Sequence, residues 1–198
     1  MADTVTSMSE TLGVYEDNLE RVRTIVKGVR PDQWGLPTPC AEWTVHDLVV
    51  HIVGGLMMFG TLARGDTLPA GDQPGDLLGD DALAAYDRAA GVARAGFGSA
   101  GAAERLMALP VGSVPGEAAL SVALADLTVH GWDLATATGQ AADIPEPFLG
   151  ITDQLLRGVI DPDLRRPDGR IPLFDPPLPV GETATPTERL VAFTGRRP

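Results

Sequence analysis

Apolar residues recur every three or four positions near the start of the chain, and this spacing predicts an amphipathic helix over residues 8–27. Its apolar stripe consists of Leu12, Tyr15, Leu19, Val22, Ile25 and Val29. Gly28 and Pro31 end the predicted helix, because both residue types disfavour its continuation. The same spacing predicts a helix that starts at Thr44, followed by helices over 81–97, 117–138 and 147–160.

Segments without this period separate the predicted helices. Residues 64–80, rich in Gly, Asp and Pro, indicate a long loop that either serves as a lid or has no fixed structure. Residues 106–116 are extended or turn-like, and about half of the 17 prolines lie in residues 161–198. A capping box with proline at the first helical position, Thr185 to Glu188, begins the last short helix.

These elements predict an all-α protein, an up-down four-helix bundle with an irregular, Pro-rich C-terminal extension. Residues 1–160 would form the bundle, and residues 161–198 would pack on it as the extension.

Two histidines and one aspartate stand beside the apolar stripes of two predicted helices. Asp126 and His130 are four residues apart, so on a helix both point the same way, and His51 lies in a second helical stretch. Three such side chains can hold a divalent ion and leave one coordination position open, as in catalytic zinc sites. The alternative is a pair of hydrogen-bonded core histidines and an intrahelical bond from Asp126.

Two further aspartates lie one turn from these histidines. Asp47 either caps the helix that starts at Thr44 or accepts a hydrogen bond from His51 and fixes its tautomer. Asp133 would orient His130, bind the ion itself, or bond the connector at residues 34–44.

Other residues near these motifs have open assignments. Arg196 and Arg197 either reach an anionic substrate or form a solvated pair, while Cys40 is expected to be a small buried residue. Gly54 and Gly55, on the His51 face of its helix, indicate either close helix packing or space left for a ligand. His46 is expected to be exposed, and Trp34, Trp43 and Trp132 to be core or core-rim aromatics.

Composition narrows the classes of partner. The net charge of −12 disfavours a nucleic acid as partner. A single cysteine excludes an intrachain disulfide framework and a Cys-rich zinc module. The N-terminus lacks the regions of a signal peptide, and no apolar run was found long enough to span a bilayer, so a cytoplasmic protein without membrane contact is expected.

Three blocks of the sequence carry a family resemblance: PTPCAEWTVHDLVVHIVGG, ADLTVHGWDLATATGQ and ERLVAFTGRRP. In this order they resemble the actinobacterial metal-binding proteins related to mycothiol-dependent maleylpyruvate isomerase, in the DinB-like helical-bundle superfamily. The resemblance implies a four-helix bundle with a divalent metal, usually Zn²⁺, bound by His51, Asp126 and His130. It also implies a small thiol, such as mycothiol, as cosubstrate.

Two departures from the isomerase bear on its activity. The isomerase branch has glutamate where this chain has the shorter Asp126, which would shift the metal slightly. The true isomerase has a further C-terminal domain that contributes an arginine, and residues 161–198 are too few to duplicate it. Maleylpyruvate isomerisation itself is therefore not expected.

The leading functional prediction is a zinc-dependent thiol transferase or isomerase-like enzyme that activates a small thiol, or water, for reaction with a small electrophile. The alternatives are a metal-dependent hydrolase and a non-catalytic metal- or ligand-binding bundle. The oligomeric state stays open, with a homodimer as one option.

Overall fold

The computed structural model describes residues 7–41, 43–68, 76–109, 112–160 and 174–198, and these are mostly helical. The helices are α1 (Met8–Lys27), α2 (Val45–Arg64), α3 (Ala82–Phe97), α4 (Gly116–Thr138), α5 (Glu146–Val159) and α6 (Pro186–Phe193). A short antiparallel pair, β1 (Leu106–Leu109) and β2 (Gly112–Pro115), precedes α4. The protein is an all-α bundle of the DinB-like type, as predicted.

The helix ends lie where the sequence signals predict them. The Thr44 hydroxyl accepts a hydrogen bond from the backbone N–H of Asp47, and the Asp47 carboxylate accepts one from the backbone N–H of Thr44, so α2 begins with a complete capping box. Gly139 ends α4 in the left-handed conformation with a φ of 68°, which favours glycine. An N-cap such as Thr44 contributes about 0.5–2 kcal/mol. Both predicted boundaries are confirmed.

Contacts between the helices give their directions. Asn18 of α1 bonds Thr128 of α4, and Gln140, just beyond α4, bonds the carbonyl of Ile25 near the end of α1, so α1 and α4 run parallel. In α3, Asp87 pairs with Arg23 and Arg94 with the earlier Glu20, so α3 runs antiparallel to α1. His51 of α2 packs on His130 of α4, and the later Gly55 lies beside the earlier Asp126, so α2 runs antiparallel to α4.

The up-down order expected from the sequence is therefore refined to up, down, down, up. Two successive helices that run in the same direction need a connection that returns along the full length of the bundle. The chain leaves α2 at Arg64 through a long connector, and at Leu77 it again lies beside Gly54, well back along α2, before α3 begins at Ala82. Residues 69–75 of that connector lie outside the described part of the chain, so its suggested role as a lid stays a prediction.

The tightest contact between helices joins α2 to α3 through two glycines. A Cβ atom on Gly60 would lie 2.5 Å from the carbonyl oxygen of Val92, and one on Gly96 would lie 2.2 Å from the carbonyl oxygen of Gly60. Only glycine permits this approach of the two backbones. The contact fixes α2, and with it His51, relative to the rest of the bundle.

Apart from the main core, which lies between the first four helices, an apolar cluster joins the C-terminal segment to α4. Its buried members are Ala125, Val129, Trp132, Ile144, Phe148, Leu149, Leu156, Ile160, Leu190 and Val191. The last two belong to α6, so the end of the chain is anchored beside the same helix that carries Asp126 and His130.

The expectation that no apolar run is long enough to span a bilayer needs correction. By length and mean hydropathy α2 is apolar enough to cross a bilayer, although no such run was expected. Nine of its residues are buried, and eight of them pack in the main core of the bundle, which accounts for the apolar composition of this helix.

Candidate metal centre

The structure brings the three predicted ligands together between α2 and α4. The Oδ1 atom of Asp126 lies 3.4 Å from Nε2 of His51 and 3.5 Å from Nε2 of His130. Ligand atoms of all three residues lie within 4.8 Å of one another. The i, i+4 spacing on α4 brings Asp126 and His130 together, and the packing of α2 on α4 places His51 beside them. Binding of a metal by this group stays a prediction.

A buried carboxylate orients His130. Oδ2 of Asp133, three residues later on α4, lies 3.0 Å from Nδ1 of His130, and the Asp133 side chain is fully buried. Since a carboxylate can only accept, Nδ1 carries the proton and the lone pair of Nε2 faces Asp126 and His51. This is the tautomer that a metal ligand needs.

Arg196 in turn holds Asp133 from the C-terminal segment. Its Nε donates to Oδ1 of Asp133 at 2.7 Å, and its Nη2 donates to Oδ2 at 2.9 Å. Its side chain is only 9% exposed, so the expectation of a solvated pair is wrong for Arg196, while Arg197 is exposed. Asp133 uses its carboxylate on Arg196 and His130 rather than on the connector, so that expectation is also corrected. Arg196 acts on the centre through Asp133.

The charges stabilise the carboxylates in their ionised form. Burial raises the pKa of Asp126, but His130, His51 and Arg196 outweigh it and hold this pKa below its usual value. Burial likewise opposes ionisation of Asp133, and His130 and Arg196 lower its pKa. For His51, burial lowers the pKa, but Asp126 more than compensates and raises it above the usual value for histidine.

The centre fits a divalent ion by its donors and its access. Two imidazoles, which are borderline donors, and one carboxylate, which is a hard donor, form a set of ligands that suits Zn²⁺ and similar ions. The side chains of His51 and Asp126 are 36% and 31% exposed, so one face of the group is open. A Cβ atom on Gly55 would lie 3.6 Å from Oδ2 of Asp126, an ordinary contact. Gly55 thus leaves room beside the carboxylate, which favours the interpretation of space for a ligand over that of close packing.

The structure corrects the suggested role of Asp47 toward His51. Its carboxylate accepts from the backbone N–H and the hydroxyl of Thr44, at 3.0 and 2.6 Å, and it lies 3.7 Å from the ring of His46. Among the described residues no hydrogen bond joins Asp47 to His51. The cap takes up this side chain at the half-exposed start of α2, and His46 is exposed as expected.

Two residues of the connector before α2 lie beside the centre, which the sequence did not indicate. The indole of Trp43 lies 4.7 Å from the ring of His51 and 5.7 Å from that of His130, between ring centroids, so it is more than a core-rim aromatic. Cys40 is half-buried, near His130 and Asp133, and burial raises the pKa of its thiol to about 11. Both residues belong to the connector before α2, where no helical period could place their side chains.

The fold and the three converging donors define a helical bundle of the DinB-like class with a candidate metal centre between two of its helices. A family model described as "Mycothiol maleylpyruvate isomerase N-terminal domain" matches residues 15–135. This match covers more than half of the chain, and all three candidate ligands lie within it. The chain belongs to this family.

Two relatives from Mycobacterium tuberculosis cover most of the chain. They are named "Uncharacterized protein MT0763", from strain CDC 1551 / Oshkosh, and "Uncharacterized protein Rv0738", from strain ATCC 25618 / H37Rv. Each is 36% identical over 173 residues, which is 87% of this chain and 90% of the relative. No solved structure matches the chain significantly.

Proposed function

We propose that this protein is a metal-dependent enzyme that activates a small thiol, such as mycothiol, for addition to an electrophilic small molecule. The carrying observation is the open group of His51, Asp126 and His130, in which Asp133 fixes the ligand tautomer of His130. Membership of a mycothiol-related family supports a thiol as cosubstrate. The net charge of −12 disfavours a nucleic acid as partner.

The proposed ion, Zn²⁺ by the donor set, would lower the pKa of a thiol or a water at the open position. The protein's own residues supply the rest. Asp133, which Arg196 holds, fixes the tautomer of His130 in which Nε2 offers its lone pair, and Asp126 offsets part of the charge of the ion. The exposed sides of His51 and Asp126 leave the approach through which a thiol and an electrophile would meet.

A non-catalytic role is less well supported, because it predicts a protein side chain in the fourth coordination position. Asp133, the candidate from the sequence, is fully buried and already bonded to Arg196 and His130. The second candidate function is metal-dependent hydrolysis, which would use the same centre with water instead of a thiol as the nucleophile.

The test is turnover by zinc-loaded protein on a panel of electrophiles to which a thiol can add, including epoxides and conjugated carbonyls, with and without added thiol. The proposal expects thiol-dependent loss of at least one electrophile, abolished in His130→Ala. Product formation that is equal without thiol would identify a hydrolase. Stoichiometric metal with no acceleration of any reaction would support the non-catalytic bundle.

A further inference from the structure

Among the described residues, His51 has no carboxylate partner like the one that orients His130. In His130 the remote nitrogen, Nδ1, is bonded to Asp133, whereas the hydrogen bond of His51 is made by Nε2, which faces Asp126. None of the described residues bonds Nδ1 of His51. Metal-binding histidines usually have such a partner, so another contact must hold this ring.

The indole of Trp43 makes that contact. Its centroid lies 4.7 Å from that of the His51 ring, near the short end of the range for packed aromatic pairs, and the two planes are tilted by 42°. Trp43 also lies against His130 at 5.7 Å, and the two histidine rings meet edge to face at 4.6 Å. The three rings form one packed cluster, and rotation of His51 about its side-chain bonds would break it.

The backbone of Trp43 is fixed well enough to serve this role. Its N–H donates to the carbonyl of Cys40, and its carbonyl accepts from the N–H of Thr38, which closes a tight turn. Thr44, the next residue, caps α2 and pairs with Pro37 in an isolated bridge. Side chains on a helix lean toward its N-terminus, so His51 leans toward the end of α2 at which Trp43 is held.

We propose that Trp43 is the positioning residue of His51, which it holds in the ligand orientation by ring packing in place of a hydrogen bond. The inference rests on the proposed metal centre. His130 is oriented by the Asp133 carboxylate as well as by the ring cluster, whereas no carboxylate orients the remote nitrogen of His51 among the described residues, so the ring cluster matters more for His51. Removal of Trp43 frees the His51 ring, and the ion must then order that ring when it binds.

The experiment compares zinc affinity in metal-free wild type, Trp43→Ala, Trp43→Phe and Trp34→Ala, by competition with a chromophoric chelator. Trp34 is the matched control, because it is a half-buried indole of the same connector that packs on His46 instead, at 6.4 Å. We expect Trp43→Ala to weaken zinc binding about tenfold. The flat ring in Trp43→Phe should restore affinity to within about threefold of wild type. Trp34→Ala should bind like wild type.

The electronic spectrum of the Co²⁺-loaded variants gives a second readout that general destabilisation would not move. The bands should change shape in Trp43→Ala, because the His51 geometry changes, and stay the same in Trp34→Ala. If Trp43→Ala does not fold by circular dichroism, Trp43→Leu against Trp34→Leu is judged by the same criteria.

Wild-type affinity and an unchanged Co²⁺ spectrum in the Trp43 variant would overturn the inference and leave the metal centre intact. An equal loss in both tryptophan variants would also overturn it. If wild type binds neither Zn²⁺ nor Co²⁺, the proposed metal centre fails, and the inference fails with it.

Discussion

Truncation of Asp133 to alanine should damage the metal centre and the fold at the same time. The side chain is fully buried and bonds two partners, His130 at 3.0 Å and Arg196 at 2.7 Å. Loss of a carboxylate behind a metal-binding histidine costs about 10- to 100-fold in metal affinity, which is about 1.4–2.8 kcal/mol of binding free energy. Loss of one partner of a buried ion pair costs about 3–5 kcal/mol of folding free energy.

The two losses can be separated with Arg196→Met. This variant removes the cation but keeps the carboxylate that orients His130, so it should lower stability much as Asp133→Ala does and change zinc affinity far less. For a chain of this size the stability loss corresponds to a fall in Tm of roughly 6–20 °C. Differential scanning calorimetry of the metal-free proteins gives Tm, and chelator competition gives zinc affinity. Wild-type zinc affinity in folded Asp133→Ala would refute the orienting role of this carboxylate.

Three further predictions concern the ligands and the core. Zinc affinity, measured by competition across pH, should fall as pH drops through the pKa of His51. Asp126 raises that pKa over the opposing effect of burial, so the fall should begin at a higher pH than for an ordinary histidine ligand, and a flat profile would contradict this. Asp126→Asn should weaken zinc binding but not abolish it as His130→Ala should, because the amide oxygen can still coordinate the ion but carries no charge. Elemental analysis of both variants after dialysis measures the difference in zinc content. Gly60→Ala should lower the free energy of unfolding, measured by chemical denaturation, by about 1–3 kcal/mol, because the added Cβ atom would lie 2.5 Å from the Val92 backbone. The control is Gly91→Ala, which should be neutral or stabilising, because a Cβ atom there has nothing within 4 Å. Equal effects of the two substitutions would argue against the close approach of the helices.

The helices and the candidate ligands could be predicted because their signals are local. The bounds of α1 and the start of α2 at Thr44 follow from apolar spacing and capping residues, and the shared direction of Asp126 and His130 follows from the helical period. His51 could be added because it interrupts a second apolar stretch. The family resemblance pointed to the same three residues.

The residues around these ligands could not be placed in the same way. Arg196 is 63 positions from Asp133, and Trp43 lies in a non-helical connector, so their contacts depend on how α6 and the connector pack. For Asp47 the sequence allowed two roles equally, a helix cap or a contact with His51. In the structure its carboxylate belongs to the capping box of α2. The direction of α3 was also not a local property, because it depends on the path of the long connector.

The metal content of the purified protein tests the central claim most directly. Wild type and His130→Ala are loaded with Zn²⁺, dialysed against metal-free buffer and measured by elemental analysis, with circular dichroism to verify the helices. The account predicts one zinc ion for each wild-type chain and none in His130→Ala, at equal helix content. Full zinc in His130→Ala, or no zinc in wild type, would contradict a metal centre built from His51, Asp126 and His130.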